Sequence, residues 1–351
     1  MDFTANSQDS MAVTSDKQTQ RFGVSLRWLL LLGLFVVVVL LAATLGAPVP
    51  LSDLWASDTD RVAVARQIFL QLRPPRLLAG MLVGASLATS GAALQAVFRN
   101  PLAEPYLLGI SAGGALGATA ALAWHLPSFG VFESSSLLAF AGSLAAAFLV
   151  YRLGQGRVLH GFGSFDRATL LLIGVALSAF LSALMSLLVT LSPDAGLAQK
   201  IMFWLLGGLT LARMSNNGIL ALALGVGMAT MLASARDLNA TQVGDEEAAS
   251  LGVSIGTLHR RLLLVSALMS SAAVATAGLI GFVGLLAPHL VRLLFGNDAR
   301  ALGPAAAIGG ATLLVGCDAL ARSVAPPLEL PVGIITALLG VPLFLFLAKR
   351  A

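Results

Sequence analysis

Short charged breaks cut this chain into apolar stretches, and that rhythm restricts the fold more than any single motif does. Stretches near 28–46, 75–98, 106–124, 136–153, 168–191, 217–235, 262–279, 281–295, 303–320 and 333–348 approach the roughly 20 residues needed to cross a bilayer. In hydrocarbon every backbone N–H and C=O must find its partner inside the protein, so such stretches are helices. The expected fold is an all-α polytopic membrane protein with ten transmembrane helices per protomer. Of 351 residues, 57% are hydrophobic and 11% charged, and the mean hydropathy is +0.89. A soluble domain of this size cannot cover so much apolar surface. Residues 1–26 are polar and read as a disordered cytoplasmic tail, ahead of a single transmembrane domain over 27–351. The long polar lead and the length of the first stretch favour a retained helix over a cleaved signal. Residues 51–72 mix Trp55, Asp58, Asp60, Arg61 and Arg66 with aliphatics, as an amphipathic element on the outer surface would.

The distribution of positive charge sets the orientation. With ten spans and the N-terminus inside, Arg61, Arg66, Arg73, Arg76, Lys200, Arg213 and Arg322 face outward, and the other fourteen of the 21 Lys and Arg face the cytoplasm. That two-to-one bias predicts a multi-pass protein with both termini cytoplasmic and an even number of spans; the resemblance given below implies that its membrane is a bacterial inner membrane. The pI near 9.8 therefore reflects loops that set topology, and no nucleic-acid partner is expected. The one cysteine, Cys317, and the four scattered histidines suggest no disulfide and no metal ligand set. The sequence contains no GxxxxGK[ST] loop, so ATP is not bound in that manner. Apart from Asp318 the spans hold almost no acidic residue. Carriers coupled to protons or sodium usually keep carboxylates at mid-membrane, and no nucleophile–base set suggests a hydrolase.

Small residues recur every four positions in three places. Gly80, Gly84, Ala88 and Ala92 form one ladder, and Gly109, Gly113 and Gly117 a second beyond the polar elbow 99–105. Both allow close helix approach, either for packing alone or around a path. The third ladder is Gly174, Ser178, Ser182 and Ser186. Its hydroxyls can line a wet path or bond to carbonyls four residues back. The segment 195–213, with Met202 and Trp204, is too short to span and apolar enough to re-enter the membrane.

Two clusters of charge break the pattern. In the cytoplasmic segment 237–261, Asp245, Glu246 and Glu247 follow Gly244 at an expected helix start, where carboxylates suit the positive helix end. Gly252 is placed to stop that helix and Ser254 to cap the next. The stretch is either a docking surface for a protein or a solvated loop. On the outer side, Arg73, Arg76 and Arg322 stand at helix mouths. They can snorkel to headgroups or dock acidic side chains, and Asp318 lies four residues before Arg322 as a local partner.

From about residue 51 onward the chain resembles the permease subunits of type II ABC importers for iron-siderophores, haem and cobalamin. The resemblance rests on Arg73-Pro74-Pro75-Arg76, Asn100-Pro101-Leu102-Ala103-Glu104-Pro105, Gly281-Phe282-Val283-Gly284 with Pro288-His289, and Glu329-Leu330-Pro331-Val332-Gly333. It implies a homodimer with the path between subunits, two copies of a separate ATPase that binds ATP and Mg²⁺, and a periplasmic substrate-binding protein. The chain itself is then no enzyme and holds no cofactor. Arg73, Arg76 and Arg322 would dock the binding protein. Gly244, Asp245, Glu246, Glu247, Ala248, Ser250, Leu251 and Gly252 would form the coupling helix on the ATPase. Gly174, Ser178, Ser182, Ser186, Met202 and Trp204 would line the path, and Ser164, Asp166, Arg167 and Thr169 would lie at the cytoplasmic gate. The implied cargo is a large metal chelate, with iron-siderophore expected first, then haem, then cobalamin. The alternative reading is an ion-coupled carrier working without an ATPase.

Overall fold

In the computed structural model, residues 5–46, 51–56, 58–130, 132–154, 167–210, 214–325 and 328–348 are described. The helices are α1 (Ala5–Thr44), α2 (Thr59–Arg66), α3 (Arg73–Phe98), α4 (Ile110–Ala123), α5 (Ser134–Gly154), α6 (Arg167–Leu191), α7 (Leu197–Leu205), α8 (Met214–Ala233), α9 (Ala235–Ala240), α10 (Asp245–Ser250), α11 (Ile255–Ala277), α12 (Val283–Phe295), α13 (Ala299–Ser323) and α14 (Val332–Ala348). Among the described residues, seven helices are long and apolar enough to cross a membrane, and α4, α12 and α14 are shorter apolar helices.

Helix α3 is the hub, buried over most of its length and packed against α13, α11, α12 and α8. The glycine ladders explain how neighbours come so close. A Cβ on Gly84 would sit 2.3 Å from the carbonyl oxygen of Gly310 on α13, and one on Gly113 would sit 2.3 Å from that of Gly142 on α5. Any side chain there would push two backbones apart, so these ladders are packing seams.

The start of α3 departs from expectation. Helix runs back through Pro74 and Pro75 into α2, so that Thr59–Phe98 is one 40-residue rod. The two prolines donate no N–H, and the preceding turn loosens to a π-turn over Gln67–Leu72, with the Arg73 N–H reaching Ile68. At the other end Arg99 takes a left-handed conformation, φ 48°, and the Asn100 N–H closes onto Gln95 at 3.2 Å.

The elbow that follows climbs back into the bundle. Pro105 packs beside Gly284, which itself lies against Leu87, near the middle of α3. Helix α4 therefore starts at Ile110, and its 14 residues rise only about 21 Å. Helix α12, with 13 residues, is short for the same reason. The break between α11 and α12 faces the elbow. Glu104 accepts the Phe282 N–H at 2.7 Å, while the Tyr106 hydroxyl donates to the Ile280 carbonyl at 2.9 Å and accepts the Ile280 N–H at 3.0 Å. Non-helical backbone at depth is tolerated because these side chains satisfy it. In the sequence Glu104 stands out only as part of the polar elbow, and nothing there points to this clamp. Its two halves are about 175 residues apart, too far for a sequence pattern to show.

Candidate functional site: a coupling end, an arginine end and an uncovered face

At one end of α3 the short helices α9 and α10 form a platform. Gly244 is the N-cap of α10. Gly252, at φ 90°, stops it, with Val253 N–H returning to Ala248 at 3.0 Å. Ser254 is the N-cap of α11, but its hydroxyl meets Thr257 Oγ1 at 3.0 Å instead of a backbone N–H. The platform divides the expected coupling residues into two sets. Glu246, Glu247, Ser250, Leu251 and Gly252 are exposed, together with Val243, which is 81% exposed and has no counterpart in the sequence reading. Gly244 and Ala248 are buried.

Asp245 turns inward. Its carboxylate pairs with Arg99 at 3.2 Å and accepts a hydrogen bond from Arg167, the first residue of α6. Arg99 also donates to the Thr241 carbonyl. One carboxylate thus ties the platform to the start of α6 by a charge-assisted hydrogen bond, the stronger kind, and to the end of α3 by an ion pair. On the opposite edge Asn239 joins α9 to the α12–α13 turn. Its Nδ2 donates to Asp298 and its Oδ1 accepts the Ala299 N–H, both at 2.8 Å. The Asn239 amide and the Arg300 N–H hold the Asp298 carboxyl below its ordinary range. Of the expected gate residues, Arg167 and Thr169 start α6, whereas Ser164 and Asp166 lie outside the described residues.

At the other end of α3 the structure brings Arg73, Arg76 and Arg322 together around Asp318. Arg322 Nε donates to Asp318 at 3.0 Å, the i to i+4 pair expected from sequence, and Arg76 donates to both oxygens of the same carboxylate at 2.9–3.2 Å. Arg76 also reaches Glu329 at 2.7 Å. Arg322 donates to the carbonyls of Ala42 and Leu45, and Arg73 to those of Ala43 and Leu45. These guanidiniums cap the carbonyl end of α1, where positive charge is favoured. Arg73 and Arg322 are buried, while Glu329 keeps nearly half of its side chain exposed.

Helix α6 is bound mainly through its first two turns. Leu170 and Gly174 are its buried residues, and a Cβ on Gly174 would meet the Leu107 carbonyl. Ser178 donates to the Gly174 carbonyl at 2.7 Å and Ser186 to that of Ser182 at 3.0 Å, the second of the two behaviours open to such hydroxyls. The rest of the helix presents Leu172, Val175, Phe180, Ser182, Ser186 and Leu187 uncovered. On α7, Met202 and Phe203 are exposed and Trp204 packs against the core. The end of α7 dips to the α11–α12 break, where Gly208 N–H donates to Ala277 at 2.8 Å.

The profile of the FecCD transport family matches residues 29–350. The hemin transport system permease protein HmuU of Yersinia pestis is 41% identical over 323 residues, covering 91% of this chain and 94% of that protein. The cobalamin import system permease protein BtuC of Halobacterium salinarum is 45% identical over 285 residues, covering 81% and 74%. A chain assigned to the metal-chelate type of ABC transporter, solved in an inward-facing conformation, superposes with a TM-score of 0.76 at 34% identity, covering 92% of this chain and 99% of that one.

Proposed function

Because this chain belongs to the FecCD transport family, we propose that it is the membrane-spanning permease subunit of an ATP-driven importer, moving a metal chelate inward by alternating access. It is not an enzyme. ATP and Mg²⁺ are bound by two copies of a separate ATPase, and a periplasmic binding protein delivers the cargo. The names of relatives at 41% and 45% identity, a hemin and a cobalamin permease, support our preference for metal tetrapyrroles over the iron-siderophores that the resemblance put first.

The observation that carries the mechanism is the Asp245 knot. The ATPase docks on the exposed Val243, Glu246, Glu247 and Leu251. Displacement of this platform reaches α6 through Asp245–Arg167 and α3 through Asp245–Arg99, so motion at the cytoplasmic face moves the path helix without passing through soft loops. A second copy of the chain covers the free face of α6 and α7, and the path runs between the copies. It is lined by apolar side chains interspersed with Ser178 and Ser186, whose hydroxyls bond to carbonyls of their own helix, so it binds cargo weakly. The binding protein docks at the arginine end. Its carboxylates meet Arg76 first, in competition with Glu329, because Arg73 and Arg322 are committed to α1.

The test is reconstitution in liposomes with the cognate ATPase and binding protein. ATP-dependent accumulation of haem or cobalamin is expected, with none when the ATPase is omitted. Uptake driven by a proton or sodium gradient with no ATPase present would instead establish the carrier reading.

A further inference from the structure

Between the end of α3, the α8–α9 corner and the α12–α13 turn lies a cavity of about 430 Å³, within the roughly 300–1,000 Å³ usual for small-molecule sites. Its walls are of two kinds. Ala92, Ala96, Met231 and Leu302 make one side apolar. Arg99, Arg292, Asn100, Gln242 and Asn297 crowd the other. Among the described residues no carboxylate lines it. Asp245, beyond Arg99, pairs with that arginine, and the Asp298 carboxylate is occupied by Asn239 and by the first turn of α13.

Arg292 is the group this leaves unbalanced. It is half-buried near the end of α12 and donates to Gln95 Oε1 at 3.0 Å, its one hydrogen bond among the described residues. Gln95 is 3% exposed, and its amide nitrogen faces the Leu285 carbonyl at 3.3 Å, so the orientation of its oxygen toward the guanidinium is fixed. A guanidinium has five N–H donors, and among the described residues no carboxylate pairs with this one. Removing a charge from water without a counter-charge is costly. A site that nonetheless holds an arginine in place with a buried glutamine, beside a second arginine and side-chain amides, is made for an anion.

We propose that this cavity binds a phosphate group, held by Arg292 with Arg99, Asn100 and Asn297 around it. The planar donor fork of arginine matches phosphate oxygens. The phosphate can come from a phospholipid headgroup, whose acyl chains would lie on the apolar wall, or from a soluble phosphate. The site is independent of the transport assignment, and its test reads binding alone.

The purified full chain, stripped of lipid in detergent, is offered two probes. Dioctanoylphosphatidylglycerol is compared with dioctanoylglycerol by native mass spectrometry, and inorganic phosphate with chloride at equal ionic strength by calorimetry. Saturable binding of the phospholipid, with the glyceride failing to bind, supports a lipid source. Binding of inorganic phosphate without retention of the phospholipid supports a soluble one. In either case Arg292→Gln weakens binding at least about tenfold, the scale of losing charge-assisted bonds. Asn297→Asp, which adds a negative charge at the rim, weakens it too and serves if Arg292→Gln does not fold. If neither probe binds the native chain, or both variants bind as the native chain does, the proposal is wrong.

Discussion

Replacing Asp318 by Asn removes the one buried counter-charge that two arginines share. The side chain is 2% exposed and accepts bonds from Arg76 Nε, Arg76 Nη2 and Arg322 Nε. Breaking a buried pair by removing one partner costs about 3–5 kcal/mol, because the remaining charge is left uncompensated. Glu329 still holds Arg76 at 2.7 Å, so the lower bound applies, about 3 kcal/mol. At 1.4 kcal/mol per tenfold, that is about two powers of ten in the opening equilibrium of this end of the bundle. The chain supplies its own reporter. Its single cysteine, Cys317, is the neighbour of Asp318 and is 2% exposed. When closing is faster than labelling, the reaction of that thiol with a fluorescent maleimide follows the open population. Asp318→Asn is expected to raise the labelling rate about a hundredfold. Glu329→Gln, at a half-exposed pair worth at most about 1 kcal/mol, is expected to raise it less than about fivefold. A native labelling rate in Asp318→Asn would show that the carboxylate does not hold α1, α3 and α13 together.

Three further outcomes follow from the same geometry. Asp245→Asn is expected to lower transport per ATP hydrolysed about tenfold or more in the reconstituted complex, since it weakens two charge-assisted links; an unchanged ratio would remove the knot from the coupling route. Gly84→Leu, which forces a side chain against the Gly310 backbone, should destabilise the chain by about 1–3 kcal/mol or more, read as faster Cys317 labelling; native behaviour would mean that the α3–α13 seam is loose. Asp298→Ala should cost about 1 kcal/mol through loss of the α13 cap. Because the folded carboxyl titrates below its ordinary value near 3.9, its contribution is complete above about pH 5 and disappears as pH falls through the depressed value. The stability difference between the native chain and Asp298→Ala should therefore narrow in acid; a difference that stays constant as the native carboxyl is protonated would rule out the ionised cap.

Much of the bundle was legible in the linear order of residues, because hydrocarbon forces long apolar runs into helices and bilayer thickness fixes their length. The small-residue ladders and the short helix between Gly244 and Gly252 could be read for the same local reasons. The pairing of Arg322 with Asp318 also follows from helical spacing. Long-range choices could not be read. Arg76 meets Asp318 across 242 positions, Arg99 meets Thr241 across 142, and Glu104 meets Phe282 across 178, and nothing in local spacing specifies such partners. Sequence set which charges were available at each end of the bundle. Only the packing of α3 against α11, α12 and α13 decided that Asp245 faces inward to Arg99 and Arg167 while Glu246 and Glu247 face out. The reason is physical: a helix surface offers every side chain a direction, but which directions are buried depends on the neighbour that arrives.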